Sequence, residues 1–244
     1  MTRVLKLITF DATETLMVFQ PPVAVKYAEC AKRFGIVVDP GDVMKGFKAP
    51  FKELSKNHPN FGRGSGLGWR AWWTEVVVRT FKSAAPSCDD KTLQQLAAFL
   101  IEEYQTARCW ALADGTLDIL DHLKTKGVPL GVISNYDERL ESTLKSLGIH
   151  SYFDFFLTSY SAGVMKPHKE IFELARCRKP GNIAPECCAH VGNSLEFDYL
   201  GAKNAGWKPF LVGPLSANVL KLADNGTTFE NLTELRKYFE TALK

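Results

Sequence analysis

The sequence predicts an α/β fold: a doubly wound parallel-sheet (Rossmann-like) core with an inserted helical cap domain. Three observations lead there. Short, nearly continuous apolar runs recur along the chain, as in strands covered on both faces of a parallel sheet. From residue 111 onward these runs alternate with stretches of helical apolar spacing, which implies right-handed crossovers between parallel strands. Between the first run and that alternation lies a long segment with helical spacing and no clear strand of its own.

The expected strands are Val4–Phe10, Pro129–Ser134, Tyr152–Thr158, Cys187–Gly192 and Pro209–Gly213. The helices between the later ones are Leu117–Lys126, Glu138–Leu147, Lys169–Cys177 and Asp198–Ala205. In the inserted segment, Val23–Phe34, Gly41–Lys56, Trp69–Phe81 and Lys91–Gln105 read as helices. The predicted division is a core of 1–16 and 111–244 and a helical cap of 17–110, with Pro21-Pro22 and the turn before Asp114 as hinges.

Composition sets the class. With 45% hydrophobic and 23% charged residues, the chain can bury a sizeable core. A formal charge of +3 over 244 residues argues for neither nucleic acid nor an anionic membrane as partner. No apolar run is long enough to span a bilayer, and the apolar part of the N-terminus is too short for a signal peptide. The six cysteines show no paired spacing, so reduced thiols and a cytoplasmic location are expected.

In doubly wound folds ligands sit beyond the C-terminal ends of the strands. Asp11 follows the first strand, Ser134 and Asn135 the second, and Lys166-Pro167 ends the loop after the third. Asn193, Ser194 and Asp198 follow the fourth. Any one of these could be a helix cap. A carboxylate, a hydroxyl, a lysine and a second polar pair in consecutive order are harder to explain as caps.

The motifs Phe10-Asp11-Ala12-Thr13-Glu14-Thr15-Leu16, Ile133-Ser134-Asn135-Tyr136-Asp137, Lys166-Pro167-His168-Lys169-Glu170-Ile171-Phe172 and Val191-Gly192-Asn193-Ser194 running on through Asp198 carry a specific resemblance. Their order and spacing are similar to those of the haloacid dehalogenase-like hydrolase superfamily. Pro59-Asn60-Phe61-Gly62 and Trp72-Trp73 in the insert resemble one branch of it. The resemblance implies that Asp11 attacks phosphorus and forms an aspartyl-phosphate. Ser134 would hydrogen-bond a phosphoryl oxygen, and Lys166 would neutralise charge. Magnesium would take oxygen ligands from Asp11, the Thr13 carbonyl, Asn193 and Asp198, with Asp198 acting through water. The implied substrate is a small molecule, a phosphate ester.

Two positions depart from the family pattern. Its phosphatases carry an acid two residues past the nucleophile, where this chain has Thr13, and a hydroxyl cannot cycle a proton near neutral pH as a carboxyl can. The fourth motif normally begins Gly-Asp, and here it is Gly192-Asn193. That removes one negative charge and weakens magnesium by about one to two orders of magnitude. The resemblance therefore implies a slow, magnesium-assisted phosphatase. The alternatives are a member that has lost turnover and serves binding or regulation, and a metal-independent dehalogenase-like hydrolase.

Other features have plainer explanations. Asp114-Gly115-Thr116-Leu117 resembles the first motif but follows no apolar strand, so Asp114 is expected to start a helix. The glycines at 62, 64, 66 and 68 lack the strand–turn–helix setting of a phosphate cradle, and Arg63 among them is a weak anion candidate. Trp69, Trp72, Trp73, Val76 and Val77 form a stripe suited to packing. His168 reads as a surface or capping residue, and His122, His150 and His190 lie in core-type contexts.

Overall fold

The computed structural model describes residues 4–214, 216 and 221–243. Strands β1 (Leu7–Phe10), β4 (Leu130–Ser134), β5 (Phe155–Thr158), β6 (Cys188–Gly192), β7 (Lys208–Val212) and β8 (Thr228–Phe229) form one parallel sheet in the order β5-β4-β1-β6-β7-β8. Every residue of β1, β4 and β6 is buried, which is why these strands read as continuous apolar runs rather than alternating ones. Strand order reverses at β1, whose neighbours are β4 and β6, so the loops after β1 and β6 diverge at a topological switch point. Helices α5 (Thr116–Thr125), α7 (Ser159–Ala162), α8 (Lys169–Arg176) and α9 (Gly201–Asn204) lie between the later strands, and a further helix spans Leu232–Ala242.

The chain divides into two compact units: Met1–Val18, Leu112–Tyr136 and Gly148–Lys244 form one, and Phe19–Ala111 with Asp137–Leu147 the other. The second unit is helical, built on α1 (Val23–Lys32), α2 (Pro40–Asn57), α3 (Trp69–Ala84) and α4 (Asp90–Glu103). Tyr27, Val43, Val77, Phe81, Leu93, Leu96 and Leu100 bury a common core there. Asp39 and Asp89 cap α2 and α4 by accepting from Gly41 N and Thr92 N. Segment Asp137–Leu147, with α6 (Leu140–Ser146), belongs to this unit, although the motif it follows is on the sheet. The reason is a buried anchor. Asp137, 1% exposed, pairs with Arg139 and accepts from Trp73 Nε1 at 2.8 Å. Arg139 also lies 5.2 Å from the rings of both Trp69 and Trp73.

Several expectations need correction. Two short strands, β2 (Met17–Phe19) and β3 (Trp110–Leu112), pair with each other where the insert was expected to have none. Their three-residue length gives no readable alternation. The third core strand begins only at Phe155, because His150–Tyr152 forms a 3-10 turn. Residues Leu195–Leu200 wind as a π-helix before α9, so the expected helix from Asp198 is two elements. Asp114 does not start a helix; Gly115, at φ 81°, is the N-cap of α5, a conformation only glycine adopts cheaply.

Candidate active site

Asp11 stands one residue past β1, buried at 7% exposure, and its backbone N–H donates to Val191 O at 2.8 Å. That bond carries the β1–β6 pairing one residue beyond β1 and fixes the carboxylate at the sheet edge. Lys166, 2% exposed, extends Nζ to Asp11 Oδ1 at 2.6 Å, Asp198 Oδ1 at 2.6 Å and Ile133 O at 2.9 Å. The loop that delivers it, with a cis Lys166-Pro167 peptide, is clamped by Asn135. The Asn135 Oδ1 accepts from Lys166 N at 2.8 Å and its Nδ2 donates to Lys166 O at 3.0 Å. Each end of that amide bonds the Lys166 backbone, so Asn135 holds the residue that carries the ammonium in place. Ser134 ends β4 and is 2% exposed.

Asp198 comes from the π-helix and is 2% exposed. Its Oδ2 accepts from Ser194 N at 2.9 Å, and its Oδ1 meets His190 Nε2 at 3.2 Å besides Lys166. The carboxylate lies against Gly192, where an added Cβ would sit 2.2 Å from Asp198 Cγ. Ser194, not Asp198, caps the turn by accepting from Phe197 N. Asn193 is exposed, and its Oδ1 accepts from Thr15 Oγ1 at 3.4 Å. Thr13 is half-buried, and Glu14 beside it is exposed with φ 60°.

Burial pushes the Asp11 carboxyl upward, the Lys166 ammonium offsets this in part, and the nearby Asp198 charge adds to the rise. Burial acts on Asp198 in the same sense, but Lys166 and His190 outweigh it and hold that carboxyl low. Lys166 loses hydration, yet its two carboxylates more than compensate and keep it cationic. Burial lowers His190, so its ring is neutral near pH 7. One cation thus serves two unequal carboxylates, of which Asp11 is the more exposed.

The oxygen donors available to a hard cation are the second Asp11 oxygen, the Thr13 carbonyl and Asn193 Oδ1. Asp198 is engaged by three donors, Lys166 Nζ, His190 Nε2 and Ser194 N. Among the described residues no three His, Cys, Asp or Glu side chains gather as a metal site. This donor set suits magnesium chemically, held by a single full charge.

From sequence, His190 and Thr9 fall outside the site, and the structure places both beneath it. Thr9 Oγ1 lies 2.8 Å from His190 Nδ1. A usable signal was present: His190 sits two residues before Gly192 on one strand and therefore shares its face. His168 is exposed and makes no side-chain cap at α8. Arg63, also exposed, lies in the helical unit. Of the tryptophan stripe, Trp72 is core, while Trp69 donates to Glu138 and Trp73 to Asp137. All six cysteines are unpaired, and among the described residues no helix is long and apolar enough to cross a membrane.

A family model described as haloacid dehalogenase-like hydrolase matches residues 5–206. Rhythmically expressed gene 2 protein of Drosophila melanogaster is 36% identical over 215 residues, which cover 85% of this chain and 82% of that protein. Haloacid dehalogenase-like hydrolase domain-containing protein 3 of Xenopus laevis is 37% identical over 210 residues, covering 86% and 85%. Among solved structures, the magnesium-bound HAD hydrolase YfnB of Bacillus subtilis aligns with a TM-score of 0.70 at 19% identity, over 98% of this chain and all of that one (100%). A 2-haloacid dehalogenase of Pseudomonas syringae aligns at 0.64 and 23% identity, covering 97% and 99%. A predicted phosphoglycolate phosphatase of Haemophilus somnus aligns at 0.65 and 20%, covering 96% and 97%.

Proposed function

Because this chain belongs to the haloacid dehalogenase-like hydrolases, we propose that it hydrolyses small phosphate esters slowly, through an aspartyl-phosphate on Asp11. The observation that carries the reading is the Lys166 ammonium held 2.6 Å from both Asp11 and Asp198. A cation built into the site beside the nucleophile offsets the charge of an incoming phosphoryl group.

In this reading the Asp11 carboxylate attacks phosphorus, and the bond to the leaving alcohol breaks with its electron pair on the alcohol oxygen. Ser134 donates to a phosphoryl oxygen, and Asn135 keeps Lys166 in reach. The leaving oxygen takes its proton from water, because Thr13 offers no group that ionises near neutral pH. Water then attacks the phosphorus of the acyl phosphate, releasing phosphate and restoring the carboxylate. Magnesium, when bound by Asp11, the Thr13 carbonyl and Asn193, with Asp198 behind a water, supplies charge neutralisation. The core of 1–16 and 111–244 carries this chemistry, and the helical segment 17–110 is proposed as a cap that selects the substrate. The unpaired cysteines favour a cytoplasmic setting.

The test is a phosphate-ester panel with acid-quenched trapping of labelled protein. A stoichiometric burst of label on Asp11 with slow steady turnover is expected, and Asp11→Asn should abolish both. Rapid multiple turnover that survives Asp11→Asn would overturn the proposal. Thr13 and Asn193 favour a second reading, a fold kept for binding with turnover lost; absence of both label and product supports it. Release of halide from short 2-haloacids without metal would instead support dehalogenation.

A further inference from the structure

We propose that His190 is a positioning residue: held in a single tautomer by Thr9, it orients the Asp198 carboxylate so that Lys166 is shared between Asp198 and Asp11. The inference rests on Asp11 and Lys166 being the working pair, and it extends to two side chains buried behind them.

Thr9 and His190 are register partners on β1 and β6. Strand alternation puts Thr9 on the face of Asp11 and His190 on the face of Gly192. Both are at most 1% exposed, so every polar atom needs a partner inside the protein. The Thr9 hydroxyl has one proton and two acceptors in range, His190 Nδ1 at 2.8 Å and Ala189 O at 3.3 Å. If the proton went to Ala189, Nδ1 would have to carry the ring proton. The bare Nε2 lone pair would then face Asp198 Oδ1 at 3.2 Å, a repulsive contact. Donation from Thr9 to Nδ1 removes the conflict and leaves Nε2–H to donate to Asp198.

Asp198 Oδ1 then takes donors from His190 and Lys166, while Oδ2 takes Ser194 N–H. Three donors from three elements leave the carboxylate no freedom to rotate away from the lysine. The bare Cα of Gly192 makes the room. Phe172, with its ring centre 5.3 Å from the imidazole at a T-shaped angle, walls the other side. A purely apolar residue would pack as well in this wall, so what the histidine adds is its N–H.

The experiment uses the full chain with ¹⁵N-histidine and long-range proton–nitrogen correlation. The wild type should show His190 protonated at Nε2 and bare at Nδ1, and Thr9→Val should lose that preference. In kinetics, His190→Phe and His190→Asn should lower kcat about 10- to 100-fold, the usual range for groups that orient a reactive set. KM should stay within about twofold, as for an interaction made only in the transition state. His190→Gln, whose amide nitrogen falls near the Nε2 position, should recover most of the loss. A wild-type Nδ1–H tautomer, or a folded His190→Phe with wild-type kcat, would overturn the inference. If His190→Phe does not fold, equal kcat in the Gln and Asn variants overturns it as well. Should the wild type hydrolyse no phosphate ester, the catalytic reading fails on its own, and the tautomer decides this one.

Discussion

Replacing Lys166 by Met leaves two buried carboxylates facing each other. Asp11 and Asp198 each keep one oxygen 2.6 Å from the point where Nζ had been. Those oxygens are then no farther apart than about 5 Å, where two like charges at an effective dielectric of about 20 repel by about 3 kcal/mol. Measured losses on removing one partner of a buried pair run about 3–5 kcal/mol, the same range. The variant has an escape, because one carboxyl can take a proton. Its folded pKa then rises above the unfolded value, so the folded state binds the extra proton. Stability is retained at pH values below the unfolded pKa and lost as pH rises through the folded one. Urea denaturation of wild type and Lys166→Met at pH 8 and pH 5 checks this. The deficit should be about 3–5 kcal/mol at pH 8 and smaller by at least about 1 kcal/mol at pH 5. A deficit below about 1 kcal/mol at pH 8, or one equal at both, would refute the electrostatic account.

Gly192→Ala should lower turnover at least about 100-fold, because its Cβ would lie 2.2 Å from Asp198 Cγ and force that carboxylate off Lys166; unchanged phosphate release in a folded variant would contradict the packing. Arg139→Met should destabilise the helical unit by about 3 kcal/mol by stranding Asp137, while Trp73→Phe should cost only about 1–2 kcal/mol for one lost hydrogen bond. Thermal melts that reverse this order would count against the anchor. The Glu103 carboxyl is pulled down to about 2 by hydrogen bonds from Arg108 and Lys26 that outweigh its burial. Its folded pKa is depressed, so its contribution is complete above the ordinary carboxylate range and is lost as pH falls toward 2. With the exposed Arg108 screened by solvent, that contribution is about 1–2 kcal/mol. Glu103→Gln should remove it at pH 7 and flatten the acid limb of the stability profile; a limb parallel to wild type would exclude Glu103 as its source.

The sheet strands were legible because strands buried on both faces must be apolar throughout, and that requirement is written locally. Asp11, Ser134 and Lys166 were legible because a doubly wound sheet gathers the residues at its strand ends along one edge. Strands β2 and β3 were not, since three residues in an extended turn carry no period. The π-helix was hidden for a related reason: one extra residue in a turn leaves the apolar spacing close to that of an α-helix.

Sequence by itself determined the chain's fold class, the place of Asp11 just past the first strand and the residue types at Thr13 and Asn193, all written locally in the chain. Tertiary structure alone decided what those residues touch. It turned Asn135 inward onto the Lys166 backbone, set Lys166 between two carboxylates, and brought Thr9 to His190 across 181 positions of sequence. It also joined Asp137–Leu147 to the helical unit through Trp73. Hydrogen bonds form or fail over a few tenths of an ångström, and the strand register and close approaches that set such distances exist only once the sheet has assembled.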